Sequence, residues 1–546
     1  MQRLLIRASC AMLVALCACG SGESGATPVT PDPPPGPVVP PEVGQTYVPT
    51  GRSAAGDVAV HLFEWRWADI ARECEVWLGP KGFKAAQISP PNEHAVIRQG
   101  GADFPWWQRY QPVSYRLESS RSGTAAELAA MVARCRAVGV DIYADAVINH
   151  MTAGSGTGSA GTVYTKYSYP TVPYAAGDFN PACNIESYTN AAQVQNCELV
   201  GLSDLRTAAD TVRGRIARYL IALNEIGIAG FRIDAAKHIP PRDLEAIVTR
   251  VNAAAVASGR SRPYVFLEVI NNPGEAVTAQ QYFGVGYASG GAADLTDFLY
   301  GYRVTDAFLG RNGATLASTM ETITTALLPS DKSVVFVDNH DNQRGANLYY
   351  ASANYELAVI FMLAHPQGYP SVMSSFGFDR FSQGGRDTGP PSDAAGNTLS
   401  TFEPSGASRC TASIGSPQLR SWICEHRRPA IANMVAFRKA AAGAPFSNCG
   451  RSDSRVANDA NRIAFCRDGA GFVVINLSAA VTATQLQTRL PAGRYCNVAQ
   501  FEFVAAVGVV PASCTGDAIV VQADGTAAIS LDTRSAIALH TRARVN

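Results

Sequence analysis

The chain has 546 residues, 47% of them hydrophobic and 16% charged, enough apolar material for a sizeable buried core and too long for one ordinary domain. Lys plus Arg and Asp plus Glu number 45 each, so the formal net charge is zero and no global field would draw in a phosphate backbone, which excludes nucleic acid as a partner. With 20 Tyr, 21 Phe, 6 Trp and 48 Gly, the composition also excludes a disordered, coiled-coil or collagen-like chain.

Arg3 and Arg7 precede an apolar run over 11–18, the order of an export signal and too short to span a bilayer, and the signal is placed at 1–19. Its end, Leu16-Cys17-Ala18-Cys19-Gly20, is similar to the lipobox of bacterial lipoproteins, in which the last Cys is acylated; plain cleavage beside the small residues is the alternative, and both stay open. The chain is therefore expected outside the cell, either secreted or held at the envelope through Cys19. Residues 20–48, with Pro31, Pro33, Pro34, Pro35, Pro37, Pro40 and Pro41, read as a stiff tether without a core. Ten of the 13 cysteines follow Cys19, an even number that suits export. Sequential pairing, the simplest arrangement, would join Cys74 with Cys135, Cys183 with Cys197, Cys410 with Cys424, Cys449 with Cys466, and Cys496 with Cys514.

Short apolar runs at 58–63, 84–88, 140–147, 228–233, 264–269, 293–299, 333–337 and 369–374 alternate with amphipathic stretches, the pattern of βα units on a parallel sheet. Thr124 and Glu127 form a capping box, and Leu128, Met131, Val132, Cys135 and Val138 then recur at helical spacing. Eight strands predict a (β/α)8 barrel with loop insertions over 49–149 and 207–443. Residues 150–206, rich in Gly, Ser, Thr, Tyr and Asn where a helix was due, read as an inserted subdomain. Short β-rich stretches between Gly, Asp and Pro turns make 444–546 a C-terminal antiparallel β-sandwich domain.

Acidic residues end four of the apolar runs: Asp145 in DIYADAVINH, Asp234 in GFRIDAAKH, Glu268 in YVFLEVI and Asp341 in VVFVDNHD. In a parallel barrel all four point into one mouth. Any one of them alone could be a helix cap or a surface residue. Together they would repel one another, so some stay protonated near neutral pH, the condition for pairing an acid with a nucleophile. Arg232 shares a strand face with Asp234 and is expected to hold it ionised, suiting Asp234 for attack and Glu268 for proton donation.

DAVINH, GFRIDAAKH, the Glu of LEVI and FVDNHD resemble, in order, the four signature regions of the alpha-amylase family of retaining glycoside hydrolases. PWWQRYQPVSYRL, QVQNCELVGLSDL and FVDNHDNQRG are similar to the animal-type branch of secreted alpha-amylases, which actinobacteria and other bacteria also use. The resemblance implies endo-hydrolysis of α-1,4-glucosidic bonds in starch, glycogen and maltooligosaccharides by a monomer. Asp234 would be the nucleophile, Glu268 the general acid/base, and Asp341 the carboxylate that grips ring hydroxyls.

The resemblance further implies sugar contacts from Trp106, Trp107, Tyr110, Gln111, His150, Arg232 and His340, with Tyr188, Leu202, Lys237, His238 and Ile270 at the rim. It implies a structural Ca²⁺ held by Asn149, Asp204 and the carbonyls of Gln195 and His238, hard oxygen donors that suit this ion. The chain departs from the animal pattern at Pro370-Ser371, where chloride-activated relatives carry a base. Arg232 and Asn339, the other two expected chloride ligands, are present, but chloride binding is not expected. The Gly-rich loop of those relatives is absent too, because Gly345 leads straight into Ala346, Asn347 and Leu348. The alternatives are an exo-acting maltooligosaccharide-forming enzyme or transglycosylase on the same fold, or a non-catalytic starch-binding surface lipoprotein.

Overall fold

The computed structural model describes residues 43, 46–98, 103–324, 328–411, 418–507 and 510–545. The expected signal, the lipobox with Cys19 and most of the tether lie outside them. Eight strands, β1 (Ala59–Leu62), β2 (Ala85–Ile88), β3 (Asp141–Ala146), β4 (Gly230–Ile233), β5 (Tyr264–Leu267), β6 (Ala293–Thr296), β7 (Ser333–Val335) and β8 (Tyr369–Ser374), close into a barrel in chain order. Every pairing is parallel, including β1 with β8. All eight fall inside the expected apolar runs, and the 293–299 run divides because Asp297 caps a helix that starts at Phe298. Helix α1 (Ala125–Ala137) carries the expected capping box and buries Leu128, Met131, Val132 and Cys135. Val138 departs from that apolar face: it is the C-cap residue and is exposed.

Alternation along the strands layers the barrel interior. Ala59, Ala85, Tyr143, Tyr264, Phe266, Val334 and Tyr369 form one apolar cluster towards the N-terminal strand ends. Two residues further along β3 and β4, the same phase aims Asp145 and Arg232 inward. Gly230 sits beneath Arg232 because a Cβ there would lie 2.7 Å from both the Tyr143 ring and the Tyr264 carbonyl.

Among the described residues, 150–206 contribute no barrel strand. The segment holds the two-stranded pairings His150–Met151 with Ser203–Asp204 and Ser155–Thr157 with Val163–Thr165, and the short helix α2 (Ala191–Asn196). From Phe446 on, the described chain forms two larger antiparallel sheets, of four and five strands, and a two-stranded pairing of Phe503–Val504 with Ser513–Cys514. Phe472, Val474, Leu539, Leu486 and Ile529 fill the space between the two larger sheets. The alternate residues Phe465, Val473 and Ile475 belong to the barrel's own core cluster, so this domain is welded to the barrel through one sheet face. Among the described residues five disulfides join sequential cysteines: Cys74–Cys135, Cys183–Cys197, Cys410–Cys424, Cys449–Cys466 and Cys496–Cys514. That many bridges suit an oxidising compartment.

One expectation is corrected at the N-terminal side. Val43 and Tyr47 lie within the segment read as a tether without a core, yet both pack against the barrel core. The Tyr47 hydroxyl donates to Asp331 (2.9 Å), its ring covers the Lys332 ammonium at 4.4 Å, and the Thr50 hydroxyl donates to Asp294 (2.8 Å). These partners stand at the N-terminal ends of β6 and β7, where a buried lysine and aspartate need neutralising neighbours. Proline content signalled stiffness and hid this anchoring.

Candidate active site

Three neighbouring strands, β3, β4 and β5, deliver one charge cluster. Arg232 Nη1 donates to Asp145 Oδ1 (2.6 Å) and Asp234 Oδ1 (2.8 Å), while Nη2 lies 2.6 Å from Glu268 Oε1. The guanidinium, 3% exposed, therefore serves three carboxylates at once, and the view that it keeps Asp234 ionised needs correction. One positive charge cannot offset three negative ones in a poorly solvated site, and burial raises Asp234 and Glu268 above their ordinary ranges against the pull of Arg232. Asp145, wholly buried, is pushed up to about 7, again chiefly by burial. Further donors fix the geometry: the Tyr110 hydroxyl to Asp145 Oδ2 (2.9 Å), and the Ala235 amide to Glu268 Oε2 (2.8 Å). The cluster thus holds protons near neutral pH and offers a carboxyl acid beside a carboxylate.

Above it opens a cleft of about 270 Å³ lined by Asp234, Glu268 and Asp341. Trp106, Trp107, Tyr110, Gln111, His150, Tyr188, Leu202, Lys237, His238, Ile270 and His340, the residues expected to contact sugar, also line it. Arg232 does not. It lies under the floor, so its part is to position carboxylates rather than to touch sugar. Burial holds the histidines neutral, His150 and His238 each lowered to about 4. A carbonyl can only accept, so His150 Nε2 must donate to the Tyr110 carbonyl (3.1 Å), which leaves Nδ1 to accept from Asn149 Nδ2 (3.3 Å). The His150 ring can pack on a sugar but has no proton to spare for one. His340 stacks on Tyr110 with centroids 4.8 Å apart and sets Nε2 3.3 Å from Asp341 Oδ2, orienting that carboxylate.

The expected cation ligands fall into two pairs. Strand pairing sets His150 opposite Asp204, next to Asn149, and His238 Nδ1 donates to the Val194 carbonyl (2.8 Å), which ties it to the last turn of α2, where Gln195 lies. Carbonyls in a helix's last turn have no intrahelical amide partner and are open to a ligand. Asp204 is buried with Asn180 Nδ2 as a neutral donor at 2.7 Å, and burial lifts it to about 8. A buried carboxylate that accepts from an amide and has no cationic partner among the described residues fits a hard divalent cation. Among the described residues no group of three or more His, Cys, Asp or Glu is placed to hold a metal, as expected for a set with a single carboxylate.

Two family models match the chain: "Alpha amylase, catalytic domain" over residues 108–253 and "Alpha amylase, C-terminal all-beta domain" over residues 453–542. An alpha-amylase of Tribolium castaneum is 43% identical over 499 residues, 89% of this chain and 94% of that protein. Pancreatic alpha-amylase 2a5 of Mus musculus is 43% identical over 498 residues, 86% of this chain and 91% of that protein. The chain belongs to the alpha-amylase family. Among solved alpha-amylase structures, a variant of alpha-amylase I from Eisenia fetida in complex with maltohexaose superposes with a TM-score of 0.77 at 38% identity, covering 89% of this chain and 97% of that one. Alpha-amylase membership makes the chain a glycoside hydrolase, and the structure gives its cleft members that sequence reasoning missed. Asn272 and Glu275 line it, Glu275 pairing with the Lys237 ammonium, and Asp387 lines it while accepting from Trp107 Nε1 (3.1 Å). Glu275 lies seven residues after Glu268 on the same loop and could have been suspected. Asp387 sits in a long polar excursion with no periodicity to mark it.

Proposed function

We propose that this protein is an exported, monomeric alpha-amylase that cleaves internal α-1,4-glucosidic bonds of starch, glycogen and maltooligosaccharides with retention of configuration. The observation that carries the reading is the Arg232 guanidinium gathering Asp234 and Glu268 on the floor of an aromatic-walled cleft. Protonated Glu268 gives its proton to the departing glycosidic oxygen as the Asp234 carboxylate bonds to the anomeric carbon. Glu268, now ionised, takes a proton from water, whose oxygen displaces Asp234 and restores both groups. Asp341 holds ring hydroxyls, and Trp106, Trp107 and Tyr110 offer flat faces to the sugars. A chromatographic time course on soluble starch tests this: mixed α-configured oligosaccharides early support the endo reading. One short product from the outset makes the enzyme exo-acting, products longer than the substrate make it a transglycosylase, and starch bound without products leaves a binding protein.

Asn149, Asp204 and the carbonyls of Gln195 and His238 would hold Ca²⁺, whose positive charge, when bound, neutralises Asp204 and ties 150–206 to the barrel. Chelation is expected to lower Tm by several degrees and Ca²⁺ to restore it, whereas chloride added at constant ionic strength should change neither Tm nor rate. Thermal scans and assays in EDTA, calcium and chloride read all arms. An unchanged Tm after chelation contradicts the calcium site, and a several-fold chloride activation contradicts the reading of Ser371.

A further inference from the structure

We propose that Phe381 is an outer sugar platform that takes glucose units of long α-glucan chains leaving the cleft past Trp107. The proposal rests on the amylase reading and deepens it. Phe381 is 84% exposed, more than any other large apolar side chain among the described residues. A lone exposed apolar group needs no explanation by itself. Its loop does, because it is fastened to the cleft wall. Trp106 Nε1 and Arg344 Nε both donate to the Arg386 carbonyl at 3.0 Å, and Trp107 Nε1 donates to the Asp387 carboxylate inside the cleft.

The hydrogen bonds continue outward to the ring. Arg386 Nε donates to the Arg380 carbonyl (2.7 Å) and Arg380 Nη1 to the Asn347 carbonyl (3.0 Å). The Phe381 amide donates to Asp379 Oδ1 (2.9 Å), and Ser382 caps the short helix Gln383–Asp387. The Arg380 guanidinium lies 4.4 Å from the Tyr349 ring centroid and 5.8 Å from that of Phe381, so the three groups form a tier. Phe381 is thus held through its backbone and by a stacked cation while its ring stays open to solvent. Helical rise over Gln383–Asp387 and an extended step before it put the Cα atoms of Phe381 and Asp387 no more than about 13 Å apart. Phe381 does not itself line the cleft, and this bound keeps its ring within reach of a chain that runs out past Asp387. The C–H face of a glucose unit is the complementary surface for an open aromatic ring, whereas a peptide or lipid partner would require a wider apolar patch.

The test compares full-length wild type, Phe381→Ala and Phe381→Trp on amylose and on a chromogenic maltotrioside. Phe381→Ala is expected to raise KM for amylose about three- to ten-fold, with kcat, Tm and the maltotrioside parameters unchanged, and Phe381→Trp to restore KM. An unaltered KM for amylose overturns the proposal. So does an equal loss on both substrates, which would make the ring a brace for Trp106 and Trp107. If the wild type cuts neither substrate, the hydrolase reading fails on its own. Retardation in amylopectin gels then decides the platform: weaker for Phe381→Ala supports it, and equal overturns it.

Discussion

Asp234→Asn is expected to bind soluble starch and leave it uncut, with kcat lower by on the order of 10⁴-fold or more. The amide keeps the shape of the carboxylate and can still meet Arg232 Nη1, 2.8 Å away in the native protein, so fold and cleft should persist. What is lost is the negative charge that makes the oxygen proposed to bond to the anomeric carbon a nucleophile. Because three carboxylates share one guanidinium, deleting one negative charge should hold or raise Tm rather than lower it. Product chromatography, starch affinity and a thermal scan on the same preparation separate loss of chemistry from loss of fold. Retention of more than about one per cent of wild-type kcat, a barrier increase of under ~3 kcal/mol, would remove Asp234 as the nucleophile.

Arg232→Ala should damage both stability and chemistry, with a pH signature that a simple cavity would not produce. Removing the cation strands Asp145, Asp234 and Glu268, a kind of loss that costs about 3–5 kcal/mol. All three are already raised by burial in the native protein, and Arg232 is the group that pulls them down. A carboxylate whose folded pKa lies above its unfolded value contributes stability that is present below the unfolded pKa and lost as pH rises through the folded one. In the variant the folded values climb further, so the Tm gap to wild type should be small near pH ~4 and widen as pH passes through about 7. The whole profile of kcat/KM should move to higher pH, because Asp234 ionises later on the acid side and Glu268 keeps its proton longer on the alkaline side. A pH-independent Tm gap with an unmoved profile would reduce Arg232 to a packing residue.

The barrel was legible because each strand is a short apolar run with turn residues at its ends, and because burial of both sheet faces leaves little room for another arrangement. Asp145, Asp234, Glu268 and Asp341 were legible for a related reason: each closes such a run, and strand ends in this fold share one mouth. The partition of charge among them was not. Arg232 and Asp234 look like a private pair in sequence, and only the closure of β3, β4 and β5 side by side brings Asp145 and Glu268 to the same guanidinium. Asp387 and Phe381 belong to a segment whose shape is set by hydrogen bonds to distant residues, Trp107 and Asn347 among them, which leave no spacing to read. His150 lines the cleft, yet its donor capacity could be judged only once the Tyr110 carbonyl was seen to use it.

The anchoring of Tyr47, Thr50 and Arg52 gives the molecule a handle and a jaw at opposite ends. Tyr47 and Thr50 clasp Asp331 and Asp294, and Arg52 lies over Tyr264 at 5.4 Å, all at the closed end of the barrel. The cleft opens at the other end. The described chain therefore enters the barrel through Val43 and Tyr47 on the side away from the cleft, so substrate reaches Asp234 and Glu268 without passing this segment.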